Sequence, residues 1–253
     1  MCLILLAREP SDEYKFVMAS NRDEFYSRPA KSAHWWENPI DLLAGKDLEQ
    51  GGTWMGISKR GKFAAVTNVR DFYTKNYLEK NFSSRGDLVK NFFISDMDAD
   101  KYQNSLDYKN YLGFNLVLYN QDKINICSSR GKEIIKEKDK IFVIGNKAFG
   151  TSSDKLDSAK KEFDQILNTN FTNDDLLNLM QSPQESYDFD QKKLSQNHGN
   201  EFSARFINSL IYGTRSTTVL TIDKKNQVEI KEQLYDQNGK IGKEKEFKFN
   251  VLS

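Results

Sequence analysis

The stretch CLILLAR (residues 2–8), followed by YKFVMASNRD (residues 14–23), decides the fold of the first part of the chain. The first run is continuously apolar up to its final arginine, which is typical of a strand buried on both faces of a sheet. The intervening EPSDE (residues 9–13) has the composition of a turn, so the two runs are predicted to form an antiparallel hairpin. Such a hairpin returns Arg22 and Asp23 to the neighbourhood of Cys2, with a register open by about two positions.

Cys2 directly follows the initiator Met1. Because the cysteine side chain is small, we expect an aminopeptidase to remove Met1 and leave Cys2 with a free α-amine. A thiol with an ordinary pKa of about 8.5 then lies beside an amine with a pKa of about 7.7 to 8, so proton transfer between them costs little. This is the arrangement of an N-terminal nucleophile, which uses its own amine as the base. A buried structural cysteine is the alternative, since small thiols are common in protein cores.

The bulk composition narrows the class of protein. Among the 253 residues, 37 lysines and arginines are balanced by 36 acidic residues, and the charges are interspersed. We therefore predict no nucleic-acid partner, because the sequence contains no basic stripe or recognised binding motif. Only two cysteines occur, which excludes a disulfide framework. A single domain over residues 1–253 is predicted, because no repeat or low-complexity segment divides the chain.

The hydropathy pattern predicts a cytoplasmic protein without stable membrane insertion. The first apolar run ends at Ala7 and lacks a basic flank, so it does not resemble a signal peptide. No stretch approaches the roughly 20 apolar residues that span a bilayer. The two histidines, His34 and His198, lie in predicted loops and show no ligand spacing, so we predict no metal and no cofactor.

The rest of the sequence alternates blocks of strands with blocks of helices. Strands are predicted within 51–58, 62–70, 113–120, 124–130, 132–138, 141–146, 216–223, 227–236 and 245–252. Helices are predicted at 84–96, 98–111, 152–168 and 175–182. Residues 27–36 are predicted as a loop, 41–47 are left without an assignment, and 182–205 are interpreted as a mobile loop or a lid. This order favours an α+β fold in which two antiparallel sheets pack face to face with helices outside.

Several common catalytic chemistries have no residues to support them. The sequence contains no glycine motif for dinucleotides or phosphates, no HExxH and no GxSxG. The constellation that remains needs no histidine: Cys2 is the nucleophile, its amine is the base, and Arg22 offers a fixed fork of donors. Asp23 is predicted to hold the amine. A solvated ion pair at the strand end, worth about 0 to 1 kcal/mol, is the alternative for Arg22 and Asp23.

Several motifs occur together in the order found in one family. They are SNRDEFYSRP, GGTWMGIS, the TN of AAVTN, GFNLVLY, IGN and GTRSTTVLTID. From Met1 to about Asp223 the chain thereby resembles the NRDE family of transport and Golgi organisation proteins, which is named for its Asn-Arg-Asp-Glu motif. The resemblance implies the four-layer αββα sandwich of N-terminal nucleophile (Ntn) hydrolases, a fold class that agrees with the blockwise order of elements.

The resemblance also implies roles for individual residues. By similarity to cysteine Ntn hydrolases such as the bile-salt and penicillin V acylases, Cys2 would be the nucleophile, Arg22 would flank its sulfur and Asp23 would contact the amine. In those acylases two residues separate the arginine from the aspartate, whereas here they are adjacent, so Glu24 is an alternative to Asp23. Arg215, in GTRSTT, corresponds to their second active-site arginine.

Asparagines at strand ends are the candidate oxyanion donors. Asn68 and Asn146 are preferred as catalytic donors, with Asn115 as a further candidate, although asparagine is also common in turns. The predicted substrate-binding residues are Asn21, Glu24, Trp54 and Asn115. Together with Trp54, an apolar wall is predicted from Trp35, Trp36 and Phe72, with core packing as the alternative.

Two functions follow from these residues and from the resemblance. The first is a cysteine amidohydrolase that acts on a non-peptide amide of a small metabolite or lipid-like substrate. The alternative is a carrier or trafficking protein that binds haem, a lipid or acyl-CoA in the same cleft, with the Cys2 thiolate as the candidate axial ligand of haem. The partner is in both cases a small-molecule or lipid-like ligand, and the oligomeric state is left open.

Overall fold

The computed structural model describes residues 2–37, 41–69, 82–120, 122–130, 139–182, 184–187 and 204–252. The strands in this part of the chain are β1 (Cys2–Arg8), β2 (Tyr14–Phe25), β3 (Ala30–Trp35), β4 (Leu42–Asp47), β5 (Met55–Ser58), β6 (Phe63–Asn68), β7 (Phe114–Asn120), β8 (Lys123–Ser128), β9 (Ile141–Ile144), β10 (Gln184–Tyr187), β11 (Phe206–Ser209), β12 (Tyr212–Asp223), β13 (Gln227–Tyr235) and β14 (Ile241–Asn250). The helices are α1 (Arg85–Ile94), α2 (Ala99–Ser105), α3 (Asp154–Leu167) and α4 (Asn173–Gln181). These elements form two sheets with four helices, which confirms the predicted α+β class.

The contacts within the chain define two units, and each is built from several segments of sequence. The first unit contains Met1–Arg28, Glu137–Ile144 and Ser152–Val251. The second unit contains Pro29–Lys136, Gly145–Thr151 and Leu252–Ser253. A single domain over residues 1–253 stays a prediction.

The first unit contains an eight-stranded sheet. Six of its strands follow the order β10-β11-β12-β2-β1-β9, and the other two are β13, which pairs with β12, and β14, which pairs with β13. The predicted hairpin of β1 and β2 is confirmed, and Cys2 lies directly opposite Arg22. All pairs in this sheet are antiparallel except β10 with β11, which run parallel. β14 pairs with β13 alone, so it is an edge strand of this sheet.

Helices α3 and α4 cover one face of this sheet. Their apolar residues, including Phe163 and Leu176, pack with Leu3, Leu5 and Val219 of the strands, and these side chains are at most 7% exposed. The β1 side chains that alternate with Leu3 and Leu5 lie on the opposite face of the strand and are buried as well. This confirms the prediction of a strand buried on both faces. Each helix begins at a hydroxyl cap, Ser153 for α3 and Thr172 for α4.

The second unit contains a six-stranded antiparallel sheet with the order β3-β4-β5-β6-β7-β8. Helices α1 and α2 pack on it through an apolar cluster that includes Leu88, Phe92, Tyr102 and Phe114. Ser84 caps α1, and its side chain accepts a hydrogen bond from the N–H of Gly86. Among the described residues of both units, no helix is long and apolar enough to cross a membrane.

Some predicted elements differ from the structure. Residues 30–35, predicted as a loop, form β3, and this places His34 in a strand. The unassigned run 41–47 contains β4. β10 lies within the segment that was interpreted as a loop or a lid. The predicted strand at 132–138, Phe72, His198 and most of the predicted lid lie outside the described residues.

Candidate functional site

The start of β1 and the end of β2 bring the predicted nucleophile to the NRDE motif. Cys2 and Arg22 are register partners across the two strands. The backbone N–H of Asp23 donates a hydrogen bond to the Cys2 sulfur. Cys2 itself is partly exposed, whereas Arg22 and Asp23 are buried. The hairpin therefore places the partly exposed Cys2 against a buried cation and a buried carboxyl group.

The surroundings of Cys2 act on its thiol in opposite directions. Desolvation by the surrounding protein raises the pKa of the Cys2 thiol, and the negative charge of Asp23 acts in the same direction. The Asp23 N–H and the positive charge of Arg22 oppose this by stabilising the thiolate. Because desolvation is the largest effect, a base close to the sulfur is needed for the thiol to react at neutral pH.

Asp23 is 2% exposed and is held by β12. Its Oδ1 accepts a hydrogen bond of 2.7 Å from the Thr214 hydroxyl, and its backbone carbonyl accepts one of 2.9 Å from the Tyr212 hydroxyl. Burial raises the pKa of the Asp23 carboxyl group, and the charge of Glu24 adds to this. The charge of Lys155 and the hydrogen bond from Thr214 lower the pKa of Asp23.

Arg215 occupies an irregular position in β12. The register with β2 shifts between Thr214 and Ser216, which leaves Arg215 as the extra residue of a bulge. Its Nη1 donates to the carbonyl oxygens of Phe25 and Tyr26, and its guanidinium lies 5.6 Å from the centre of the Tyr26 ring. Burial lowers the pKa of Arg215, and the positive charge of Arg22 adds to this effect.

The carboxylate of Glu24 has different contacts from the carboxyl group of Asp23. One of its carboxylate oxygens accepts a hydrogen bond of 2.9 Å from the N–H of Phe25. The other lies 4.0 Å from Nε of Arg28. Asp23 contacts Cys2 through its backbone N–H and Thr214 of β12 through its carboxyl group, so Asp23 is the better placed of the two acidic residues to act on the amine of Cys2.

Asn21 is fully buried beneath the NRDE motif. Its amide nitrogen donates hydrogen bonds of 2.8 Å to the carbonyl oxygens of Met180 and Arg205. Its amide oxygen accepts one of 2.7 Å from the Thr217 hydroxyl. The Met180 carbonyl belongs to the last turn of α4, where no intrahelical donor is available. Both amide protons of Asn21 are thus used by the protein, and its substrate-binding role stays a prediction.

The hydrogen bonds of Asn21 continue into β13 and α4. The Tyr235 hydroxyl donates to Thr217 at 3.0 Å, and the Gln181 amide donates to the Tyr235 hydroxyl at 3.0 Å. Thr217 and Tyr235 are both buried. One chain of hydrogen bonds therefore ties β2, β12, β13 and the end of α4 together directly behind the NRDE motif.

The predicted asparagines of the second unit surround the segment that follows β9. The buried Asn115 side chain donates to Thr67 at 3.1 Å, to the Gly145 carbonyl at 3.2 Å and to the Lys147 carbonyl at 2.8 Å, and it accepts from the N–H of Phe149 at 3.0 Å. These bonds use all of its amide protons, so in this structure Asn115 fixes the loop.

Asn146 and Asn68 keep capacity for a ligand. The Asn146 amide donates one hydrogen bond of 2.9 Å to the carbonyl of Asn68. Its second amide proton and the side chain of Asn68 make no hydrogen bond within the residues that the structure describes. Both side chains therefore retain donors, as the prediction of an oxyanion donor requires.

Trp54 lies just before β5 and packs over Gly45. A Cβ atom on Gly45 would lie 2.4 Å from the Trp54 ring, so glycine is needed there. Trp36 contacts the His34 ring, with 6.4 Å between ring centroids, and Lys59 lies 5.2 Å from the centre of the Trp35 ring. These contacts place the three tryptophans on the second unit, where their role in binding stays a prediction.

Sequence reasoning missed the hydroxyl groups that support the NRDE motif. Thr214, Thr217 and Tyr212 were not singled out, although GTRSTT was noted as a motif. The available signal is the run of hydroxyl residues in a strand that is otherwise apolar, since a buried hydroxyl needs a partner. Among the described residues, no group of three or more His, Cys, Asp or Glu side chains is arranged to hold a metal ion.

The two cysteines differ enough to be separated by a thiol reagent. Burial raises the pKa of Cys127 to about 11, so at pH 8 about one Cys127 side chain in a thousand is a thiolate. We expect iodoacetamide to label the partly exposed Cys2 first, as measured by peptide mapping over time. Denatured protein, in which both cysteines react alike, is the control. Faster labelling of Cys127 in the folded protein would contradict this expectation.

Comparisons with known proteins agree with the motifs. The sequence profile of a family described as Transport and Golgi organisation 2 matches residues 1–237. The Transport and Golgi organization 2 homolog of Mus musculus is 30% identical over 259 residues, which cover 92% of each chain. Transport and Golgi organization protein 2 of Drosophila melanogaster is 25% identical over 292 residues, which cover 99% of this chain and 100% of the fly chain.

One of the solved structures with a distant likeness to this chain is an amidase. It is the N-acylethanolamine-hydrolyzing acid amidase ortholog of Caenorhabditis elegans, with a TM-score of 0.43 and 9% sequence identity. The superposition covers 87% of this chain and 92% of the nematode chain. A likeness at this level carries no argument about function.

Proposed function

Because this chain belongs to the Transport and Golgi organisation 2 family, and because its Cys2 lies opposite Arg22, we propose that it is a cysteine amidohydrolase with an N-terminal nucleophile. The substrate is a non-peptide amide of a small metabolite or a lipid-like molecule. The observation that carries the proposal is the contact of the Cys2 sulfur with the NRDE motif, through the N–H of Asp23. We place this activity in the cytoplasm.

The chemistry requires that Met1 is removed, which frees the α-amine of Cys2. The amine accepts the thiol proton, and the thiolate attacks the carbonyl carbon of the amide. The tetrahedral intermediate collapses with cleavage of the C–N bond, and the proton on the amine passes to the leaving nitrogen. Water then cleaves the acyl-thioester and restores the thiol.

Arg22 and Asp23 serve different steps of this reaction. The buried Arg22 guanidinium stabilises the thiolate beside it. The Asp23 carboxylate holds the ammonium form of the amine, as opposite charges at short range favour both charged forms. Arg215 belongs to the proposed site as its second arginine. Asn68 and Asn146 are the proposed oxyanion donors, with Glu24, Trp54, Asn21 and Asn115 as proposed substrate-binding residues.

One observation favours the alternative of a carrier. Desolvation raises the pKa of the Cys2 thiol, so with Met1 in place the residue is a poor nucleophile. A chain that keeps Met1 would bind a hydrophobic ligand, such as haem, a lipid or acyl-CoA, without turning it over.

The two functions are separated by mass spectrometry of the purified chain. We expect the intact mass to lack Met1, and we expect a brief incubation with a panel of N-acyl amides, quenched in acid, to add one acyl group at Cys2. Release of this group by hydroxylamine identifies a thioester. Retention of Met1, or binding of a panel member without acylation or amine release, would overturn the hydrolase in favour of the carrier.

A further inference from the structure

The Asp23 carboxyl group is held in position by a residue that is remote in sequence. Thr214, 191 residues further along the chain, donates a hydrogen bond of 2.7 Å to Asp23 Oδ1. Both side chains are at most 2% exposed, so water does not replace this contact. The Tyr212 hydroxyl holds the backbone carbonyl of Asp23 from the same strand.

The direction of the Thr214 hydroxyl proton follows from a second contact. The backbone N–H of Ile207 donates a hydrogen bond of 3.0 Å to Thr214 Oγ1. A hydroxyl group has one proton and two acceptor lone pairs, so the N–H of Ile207 uses one lone pair and the proton is left for Asp23. Thr214 is therefore fixed as a donor, and a donor stabilises the charged form of a carboxyl group.

The β12 bulge produces this alignment. Thr214 pairs with Asp23 and Ser216 pairs with Arg22, so the extra residue, Arg215, lies between two successive pairs of the ladder. The bulge thus allows β12 to present the Thr214 hydroxyl to Asp23 while its remainder keeps the regular register with β2.

Several charged groups face Asp23 from the elements around it. Burial raises the pKa of the carboxyl group, and Glu24 of β2 adds to this, whereas the positive charges of the N-terminal amine and of Lys155 of α3 lower it. The sulfur of Cys2 in β1 accepts a hydrogen bond from the backbone N–H of Asp23, and Arg22 precedes Asp23 on β2. The Thr214 hydroxyl donates a hydrogen bond to the Asp23 carboxyl group, which lowers the pKa of that group.

We propose that Thr214 is a positioning residue that keeps Asp23 oriented, and in its carboxylate form, beside Cys2. The proposal rests on the proposed function, since it assigns Asp23 the task of holding the Cys2 amine. Thr214 is assigned no direct role toward the sulfur or the substrate. Thr214 acts through Asp23, so its effect is measured as a change in the pH at which the Asp23 carboxyl group titrates.

The test uses the full chain and the rate at which iodoacetamide alkylates Cys2 between pH 4 and 9. In this reaction the thiolate forms an S–C bond and iodide leaves, so the rate follows the thiolate fraction. Because the negative charge of Asp23 disfavours the thiolate, we expect the profile to show an acidic inflection that Asp23→Asn removes. We expect Thr214→Val to move the inflection to higher pH by about one unit, since a hydrogen bond to a charged group is lost.

Thr214→Ser keeps the hydroxyl group and is expected to keep the wild-type profile. Thr221→Val, at the far end of the same buried strand, is the matched control for loss of a threonine hydroxyl. Should Thr214→Val fail to fold by circular dichroism, Thr214→Ala is measured against the same criterion. If the folded variant and the wild type have the same pH profile of Cys2 alkylation, the proposal is overturned.

The profile does not depend on turnover. A shifted inflection in a chain without amidase activity would overturn the hydrolase and support the role of Thr214. Coincident profiles in a chain that hydrolyses amides would overturn the role of Thr214 alone.

Discussion

We expect Cys2→Ala to abolish amide hydrolysis, with a loss in rate on the order of 10⁴ to 10⁶, as is found when a covalent nucleophile is removed. Alanine is also small, so we expect Met1 to be removed from the variant as from the wild type, which would retain the α-amine. The substitution therefore isolates the contribution of the sulfur. The measurement is release of the amine from the N-acyl amide that is turned over fastest.

The second cysteine provides the matched control. Cys127 is buried in the second unit and has no place in the proposed chemistry, so Cys127→Ala is expected to keep the wild-type rate. A Cys2→Ser variant keeps a hydroxyl group of much higher pKa and is expected to retain only a small fraction of the rate. Hydrolysis by Cys2→Ala at the wild-type rate would exclude Cys2 as the nucleophile.

Asn21→Leu is expected to destabilise the fold by about 3 kcal/mol or more. Leucine has nearly the shape of asparagine but cannot form hydrogen bonds, so the Met180 and Arg205 carbonyls and the Thr217 hydroxyl lose a partner inside the protein. Each buried polar group left unpaired costs about 1 to 3 kcal/mol. The sum is a large share of the roughly 5 to 15 kcal/mol that stabilises an ordinary domain. Urea denaturation measures the difference.

Tyr235→Phe is the graded control, because it removes one donor at the end of the same hydrogen-bonded chain. We expect it to cost about 1 kcal/mol. An Asn21→Leu variant no less stable than Tyr235→Phe would show that the Asn21 contacts add little to stability. The comparison also tells whether a loss of activity on changing Asn21 is an indirect result of unfolding.

The strand elements that were predictable are those whose signal is local. The β1–β2 hairpin has an apolar run, a turn and a second run within 25 residues, and its register followed within two positions. β3 was missed because it is an edge strand that buries only Ala33, so it has no apolar alternation. β4 was missed because a short apolar run has no period of its own.

The centre of the site was predictable for a similar reason. Cys2 and Arg22 belong to one hairpin, so their juxtaposition follows from chain geometry. Thr214 was not predictable, because its partner is 191 residues away and the bulge that aligns the two has no sequence signal on its own. The network behind Asn21 has the same character, since it joins four elements whose packing no single segment encodes.

β2 can pair with β12 only late in the synthesis of the chain, because the two strands are far apart in sequence. The Thr214 hydroxyl reaches Asp23 only after 191 further residues have been synthesised, which takes roughly 10 to 40 s at ribosomal speeds of about 5 to 20 residues per second. During that interval β1 can pair with β2, but β12 cannot yet pair with the other edge of β2. Under the proposed function, removal of Met1 by an aminopeptidase at the ribosome exit can therefore precede the pairing of β12 with β2.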